Sequence, residues 1–152
     1  MKSIQAAYKA YLDADSFMGS AAASARTAGM RQKWSVKRLL NDQAYYVFIF
    51  AQLEGYINDR CEKLVGQKSG ATRWRGRRLW DTVDLDRLDF KRRLALLTDK
   101  TGPIYAKIVQ YYQYRNHLAH GEQYTAMPVA VPVVAVPVVA SDLMNMSKSL
   151  RP

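Results

Sequence analysis

The chain has 152 residues, 49% of them hydrophobic and 24% charged, which fits one globular domain and excludes a disordered composition. Its 23 Lys and Arg against 13 Asp and Glu leave a net charge of +10, a surplus that favours a polyanionic partner without choosing among RNA, DNA and an anionic membrane. Cys61 is the only cysteine, which excludes an internal disulfide and a cysteine-rich metal site, and His117 and His120 are the only histidines, which argues against zinc. No metal and no cofactor is expected. Met1 to Ala10 lacks the apolar core of a signal peptide. The longest apolar run, Ala126 to Ala140, is broken by Pro128, Pro132 and Pro137 and is too short to span a bilayer. The expectation is a cytoplasmic chain with no membrane partner.

In chain order, residues 1–34 form an N-terminal segment. A short helix (Ile4, Ala7, Tyr8, Tyr11, Leu12) is followed by the small-residue tract Gly19-Ser-Ala-Ala-Ala-Ser-Ala, read either as a link or as more helix. Residues 35–125 are the core of the domain. Ser35 to Val65 carries the strongest helical signal: Leu40, Ala44, Val47, Ala51, Glu54, Asn58, Cys61 and Val65 alternate by fours and threes, which places them on one face. Ser35 is the expected N-cap and Gly66 the expected C-cap. Glu54 and Asn58 are polar interruptions of that stripe.

Residues 67–85 read as a basic, aromatic linker. Leu88 to Leu97 is a predicted helix, with Leu88, Phe90, Leu94 and Leu97 inward. Thr101-Gly102-Pro103 ends one helix and opens the next, which runs to His120 before Gly121. In residues 126–152 the repeat Val131-Pro-Val-Val-Ala, Val136-Pro-Val-Val-Ala predicts an extended segment, and Ser141 the cap of a short terminal helix. The order of elements predicts an all-α bundle with an irregular Val/Pro-rich C-terminal tail.

The chemistry concentrates in Tyr114-Arg115-Asn116-His117-Leu118-Ala119-His120-Gly121. With about 100° per residue and Arg115 at zero, Asn116 lies near about 100° and His120 near about 140°. The three share one side, and small Ala119 leaves room between them. Ile104, Ile108, Tyr111, Arg115 and Leu118 form a stripe, so Arg115 projects near the packed face and needs a carboxylate or a bound anion. Glu54 is the expected partner. A guanidinium grips phosphate oxygens bidentately, an imidazole transfers protons near neutrality, and RNA carries its own nucleophile in the 2′-hydroxyl. In-line transfer needs a base and an acid on opposite sides of phosphorus, which two copies of His120 across a two-fold axis supply.

Arg115-Asn-His-Leu-Ala-His120-Gly121 resembles the R-x4-H signature of the HEPN superfamily (higher eukaryotes and prokaryotes nucleotide-binding domain), in the form seen in its prokaryotic ribonuclease-like branches. Asn41-Asp-Gln-Ala-Tyr-Tyr-Val-Phe-Ile-Phe-Ala-Gln-Leu-Glu54 resembles the family's earlier core helix with its acidic residue. Phe90-Lys-Arg-Arg-Leu and Tyr111-Tyr-Gln-Tyr-Arg115 fit the same order. The resemblance covers roughly residues 35–125. It implies a HEPN-like antiparallel helical bundle and a homodimer with the motif at its interface. It also implies metal-independent endoribonuclease activity, with Arg115, Asn116, His120 and Glu54 as site residues. Many such proteins are toxins or antiviral effectors, which adds an antitoxin or other regulatory protein as a candidate partner. Toxins of the family that are silenced by a nucleotidyltransferase have a tyrosine two residues after the motif histidine. Here Glu122 stands there and Tyr124 is displaced, which argues against adenylylation at that site.

Other readings of the same residues stay open. Arg115 and His120 also suit a buried structural pair at a helix end, and Asn58 a hydrogen-bonded core amide. His117 suits a surface or interface position, and Tyr111, Tyr112 and Tyr114 suit core or interface aromatics. Arg73, Trp74, Arg75, Arg77, Arg78 and Trp80 combine cations with stackable rings, a pattern for single-stranded RNA or for a solvated loop anchored by its tryptophans. A non-catalytic RNA- or nucleotide-binding dimer and a protein-interaction scaffold are the alternatives to a nuclease.

Overall fold

The computed structural model describes residues 2–119 and 135–150. His120, Gly121, Glu122, Tyr124 and the first Val-Pro repeat, Val131 to Val134, therefore lie outside the described residues. Within them the protein is all-helical: α1 (Lys2–Ala23), α2 (Ala28–Ser69), α3 (Trp74–Arg77), α4 (Phe90–Leu97), α5 (Pro103–Ala119) and α6 (Val136–Ser149), with 3-10 turns at Trp80–Thr82 and Leu85–Arg87 and no strand.

α1 and α2 form a helical hairpin. Ile4, Ala7 and Tyr11 are buried along α1 at helical spacing, and the Tyr11 hydroxyl donates to Asp42 at 3.0 Å. The alanine-rich end of α1 resolves as helix, in keeping with alanine's helix propensity. The break that follows is short, because Thr27 caps α2 by accepting the Met30 N–H at 3.2 Å from an extended backbone. Thr27, not Ser35, is thus the N-cap. The Ser35 hydroxyl bonds the Arg31 carbonyl inside the helix, and the division between residues 34 and 35 falls within α2. Gly66 is internal too: α2 runs for 42 residues, and Gly70 is its C-cap.

The register of α2 departs from expectation. Its buried stripe is Tyr46, Ile49, Phe50, Leu53, Ile57, Cys61 and Leu64, so of the expected positions only Cys61 is buried. Leu40 is 59% exposed and Ala44 is also exposed, while Val47, Ala51, Glu54, Asn58 and Val65 lie at the half-buried margin. Placing Glu54 and Asn58 at the margin removes the conflict of two polar groups in a hydrophobic seam.

α4 opens at Phe90, capped by Asp89, whose carboxylate accepts the Arg92 N–H at 2.8 Å. Leu94 and Leu97 are buried, as are Ile108, Tyr111 and Tyr114 of α5. α2 is the common strut, packing against α1, α4, α5 and α6.

The second Val-Pro repeat is helical, not extended. Pro137 sits in the first turn of α6, where no N–H is required and its fixed φ suits the helix. The Ala135 carbonyl accepts from Val138 and Val139, and Val136, Val139, Ala140 and Leu143 are buried. Ser141 is consequently inside α6. The helix is tied down by Asp142, which accepts from the Tyr111 hydroxyl at 2.6 Å and pairs with Lys107 at 2.7 Å. These two donors hold the Asp142 carboxyl below its usual range.

Two outcomes test this arrangement. Leu53→Ala is expected to cost about 3 kcal/mol in urea unfolding, and Leu40→Ala about 0.5 kcal/mol or less. Equal costs would restore the expected register. Asp142→Asn is expected to lower stability by about 1 kcal/mol at pH 7. Because the folded pKa is depressed, that contribution is full above the unfolded value of about 3.9 and fades as pH falls through the folded one. The wild-type and variant stability curves therefore converge in acid, and parallel curves down to pH 2 would exclude the latch.

Candidate functional site

Two residues one turn apart on α2 gather arginines from two other helices. Glu54 Oε2 accepts from Arg115 Nη2 of α5 at 3.1 Å, and Asn58 Oδ1 accepts from Arg93 Nη1 of α4 at 2.7 Å. Arg115 also donates from Nη1 to the side-chain oxygen of its neighbour Asn116 at 3.0 Å. The side chains of Arg115 and Glu54 keep 28% and 22% of their exposure, so the pair is half-buried but open to solvent on one side. Arg115 Nε is buried and meets no acceptor among the described residues.

α5 is placed by aromatic packing one turn before Arg115. Tyr46 of α2 donates to the Tyr111 carbonyl at 3.0 Å, and its ring meets Tyr114 edge-on at 4.6 Å. Phe90 stacks on Tyr112 at 4.4 Å, and Phe50 leans on both. The tyrosines of α5 thus serve the core, and His117 is half-buried on the same helix.

Arg93 is the residue that the sequence reading did not single out. Besides Asn58, its Nε donates to the Leu88 carbonyl at 3.0 Å and its Nη2 to the Leu85 carbonyl at 2.9 Å. Among the described residues this half-buried cation makes no ion pair, and the three oxygens that accept from it are all neutral. The signal was present: Phe90, Arg93, Leu94 and Leu97 follow the i, i+3, i+4, i+7 spacing of an inward face.

The electrostatics are unequal. Burial pushes the Glu54 carboxyl above its ordinary range, and attraction and hydrogen bonding from Arg115 only partly oppose this. A raised folded pKa means that charged Glu54 costs stability at neutral pH, a cost relieved as pH falls through the folded value. Among the described residues the cluster sets two arginines, Arg93 and Arg115, against one carboxylate, Glu54.

Arg73, Trp74, Arg75, Arg77 and Arg78 occupy α3 and its two caps, not a loop, and α3 packs against α2. Trp74 is 60% exposed, with the Arg78 guanidinium 5.4 Å from its ring centre. Arg77 pairs with Asp81 at 3.7 Å. Trp80 is half-buried against the core.

Among the described residues no three His, Cys, Asp or Glu side chains gather as metal ligands, and no helix is long and apolar enough to cross a membrane. Comparison with protein-family profiles, curated proteins and solved structures found no match.

The ion pair is open to a double-mutant cycle. Glu54→Gln and Arg115→Gln are expected to show a coupling of about 1 kcal/mol in unfolding free energy. Additive effects within about 0.3 kcal/mol would mean that the two side chains act independently.

Proposed function

We propose that the protein is a HEPN-like, metal-independent endoribonuclease that cuts single-stranded RNA as a homodimer. The observation that carries this reading is the Arg115 guanidinium, held by Glu54 and Asn116, with a buried Nε that meets no acceptor among the described residues. A guanidinium so fixed is preorganised to receive phosphate oxygens and to offset charge that grows on them during transfer. The net charge of +10 and the exposed arginines around Trp74 support a polyanionic, stackable substrate.

In the proposed reaction the 2′-oxygen attacks phosphorus and the bond to the 5′-oxygen breaks, leaving a 2′,3′-cyclic phosphate and a 5′-hydroxyl. One His120 takes the 2′-hydroxyl proton, and His120 of a second copy gives a proton to the departing 5′-oxygen. Arg115 binds the phosphate, Asn116 orients it, and Glu54 steadies Arg115. Such an activity suits a toxin or phage-defence effector acting in the cytoplasm, with an antitoxin or other regulator holding it in check.

The Glu54 pairing, which already neutralises much of Arg115, favours a second reading: a dimer that binds RNA or a nucleotide without cutting it. Labelled RNA incubated with the purified chain in EDTA separates the two. Cleavage by wild type, reduced about 10²- to 10⁴-fold in His120→Ala, supports the nuclease. Intact RNA bound with a steep salt dependence supports the binding module, and equal cleavage by both chains identifies a contaminant. Replacing Arg73, Arg75 and Arg78 by Gln is expected to weaken RNA binding and to flatten the log–log salt slope by about 2–3. An unchanged slope would remove α3 from the RNA path.

A further inference from the structure

Glu54, Asn58, Leu88, Phe90 and Arg93 line a cleft of about 280 Å³. That volume lies just under the ~300 Å³ at which small-molecule pockets begin, a size for a single planar ring system. Its walls differ in kind. Phe90 supplies an aromatic side, its ring fixed by parallel stacking on Tyr112, and Leu88 an aliphatic one. α2 supplies the polar edge, since residues one turn apart project from the same face.

The bonds already made define what the polar edge still offers. Glu54 gives Oε2 to Arg115, and Oε1 takes no hydrogen bond among the described residues. Asn58 gives Oδ1 to Arg93, so its amide NH2 is left to donate. The cleft therefore presents an anionic acceptor beside a neutral donor, with a guanidinium behind them.

These groups complement one nucleobase edge better than the others. Guanine carries two adjacent donors, N1–H and the 2-amino group, next to the O6 acceptor. The donors suit a carboxylate, and O6 suits an amide or guanidinium. Adenine replaces N1–H by a lone pair that a carboxylate repels. Uracil has one donor between two carbonyls, and cytosine one amino group beside two acceptors. Unpaired bases of single strands are read in this way, by their edges and against an aromatic wall.

The geometry points to this cleft as a guanine subsite for single-stranded RNA, with the base edge on Glu54 and Asn58 and its face along Phe90. The assignment rests on the reading of Arg115 as the phosphate-binding group, which it extends to the neighbouring nucleoside. Glu54 joins the two, with one oxygen on Arg115 and the other on the base, so that seating the correct base steadies the group that binds its phosphate.

The test uses 2′-O-methyl RNA hexamers, which lack the attacking hydroxyl and report binding apart from cleavage. An oligouridine carrying one guanosine is expected to bind about 10-fold tighter than the same strand carrying one adenosine, the lower end of what one bidentate base contact contributes. Asn58→Asp keeps an oxygen for Arg93 but exchanges the free NH2 for a second carboxylate oxygen, and is expected to bring the guanosine-to-adenosine ratio to about one. The ratio cancels any general loss of affinity from the added charge. Phe90→Leu, which keeps an apolar wall without the ring, is expected to weaken both purine strands alike. Equal binding of the two strands by wild type, or an unchanged ratio in Asn58→Asp, overturns the subsite whether or not RNA is cut. A guanosine preference with no cleavage of unmodified RNA keeps the subsite and removes the nuclease.

Discussion

Glu54 and Asn58 stand one turn apart on the margin of the long α2 helix, and each fixes a guanidinium brought by a different helix. This clamp sets what the rest of the surface can do. Among the described residues Glu54 is the only carboxylate in it, and Arg93 is held by an amide and two backbone carbonyls. These acceptors are neutral, and they meet the Arg93 cation in a half-buried place that screens charge less than water does. In the proposed reading, a phosphate of the RNA brings negative charge to the place where these donors converge. Burial also raises the Glu54 carboxyl above its ordinary range, and Arg115 only partly opposes this.

Under the clamp lies a layer of rings: Tyr46 and Phe50 of α2, Phe90 of α4, and Tyr111, Tyr112 and Tyr114 of α5. Edge-to-face and stacked contacts between them have narrow geometric preferences, and the Tyr46 hydroxyl pins the backbone of α5 at Tyr111. Arg115 follows one turn later on the same helix. Its backbone is therefore located by the core, and only the outer part of its side chain depends on Glu54 and Asn116. A site carried on packed helices in this way is held more tightly than one carried on loops.

What the sequence disclosed follows from how each signal arises. α5 was legible because a proline marks its start, and α4 because its buried residues recur at the helical period, although its cap Asp89 went unread and the helix opens at Phe90 rather than Leu88. The pairing of Glu54 with Arg115 was legible because a charge near a packed face demands a counter-charge. The register of α2 was not. Leu40, Ala44, Val47 and Ala51 make an apolar series that continues through Glu54 and Asn58, yet the neighbouring series through Tyr46, Phe50, Leu53 and Ile57 is bulkier. The series that buries more apolar area wins the core. Residues 136–140 misled for a related reason: β-branching and proline argue against a helix interior, but at a first turn neither objection applies, and burial of Val136, Val139 and Ala140 decides. Arg93 escaped notice because it lies among arginines and lysines that are solvent-exposed, and only its place in an inward stripe sets it apart.

Arg93 also changes the meaning of the basic stretch before it. Arg73, Trp74, Arg75 and Arg78 would count for little as a free tail, since ordering such a segment on a ligand costs conformational entropy for every residue fixed. Here the stretch is a helical turn packed on α2, followed by Trp80 set against the core and by the Leu85–Arg87 turn, whose Leu85 carbonyl is bound by Arg93. The chain from Trp74 to Leu88 is thus fastened at both ends to helices that carry the clamp. In the proposed reading, a strand that stacks on Trp74 meets a preordered turn, and a phosphate at Arg115 meets a preordered guanidinium. Much of the entropic cost of arranging cations for a polyanion is then met during folding rather than at binding.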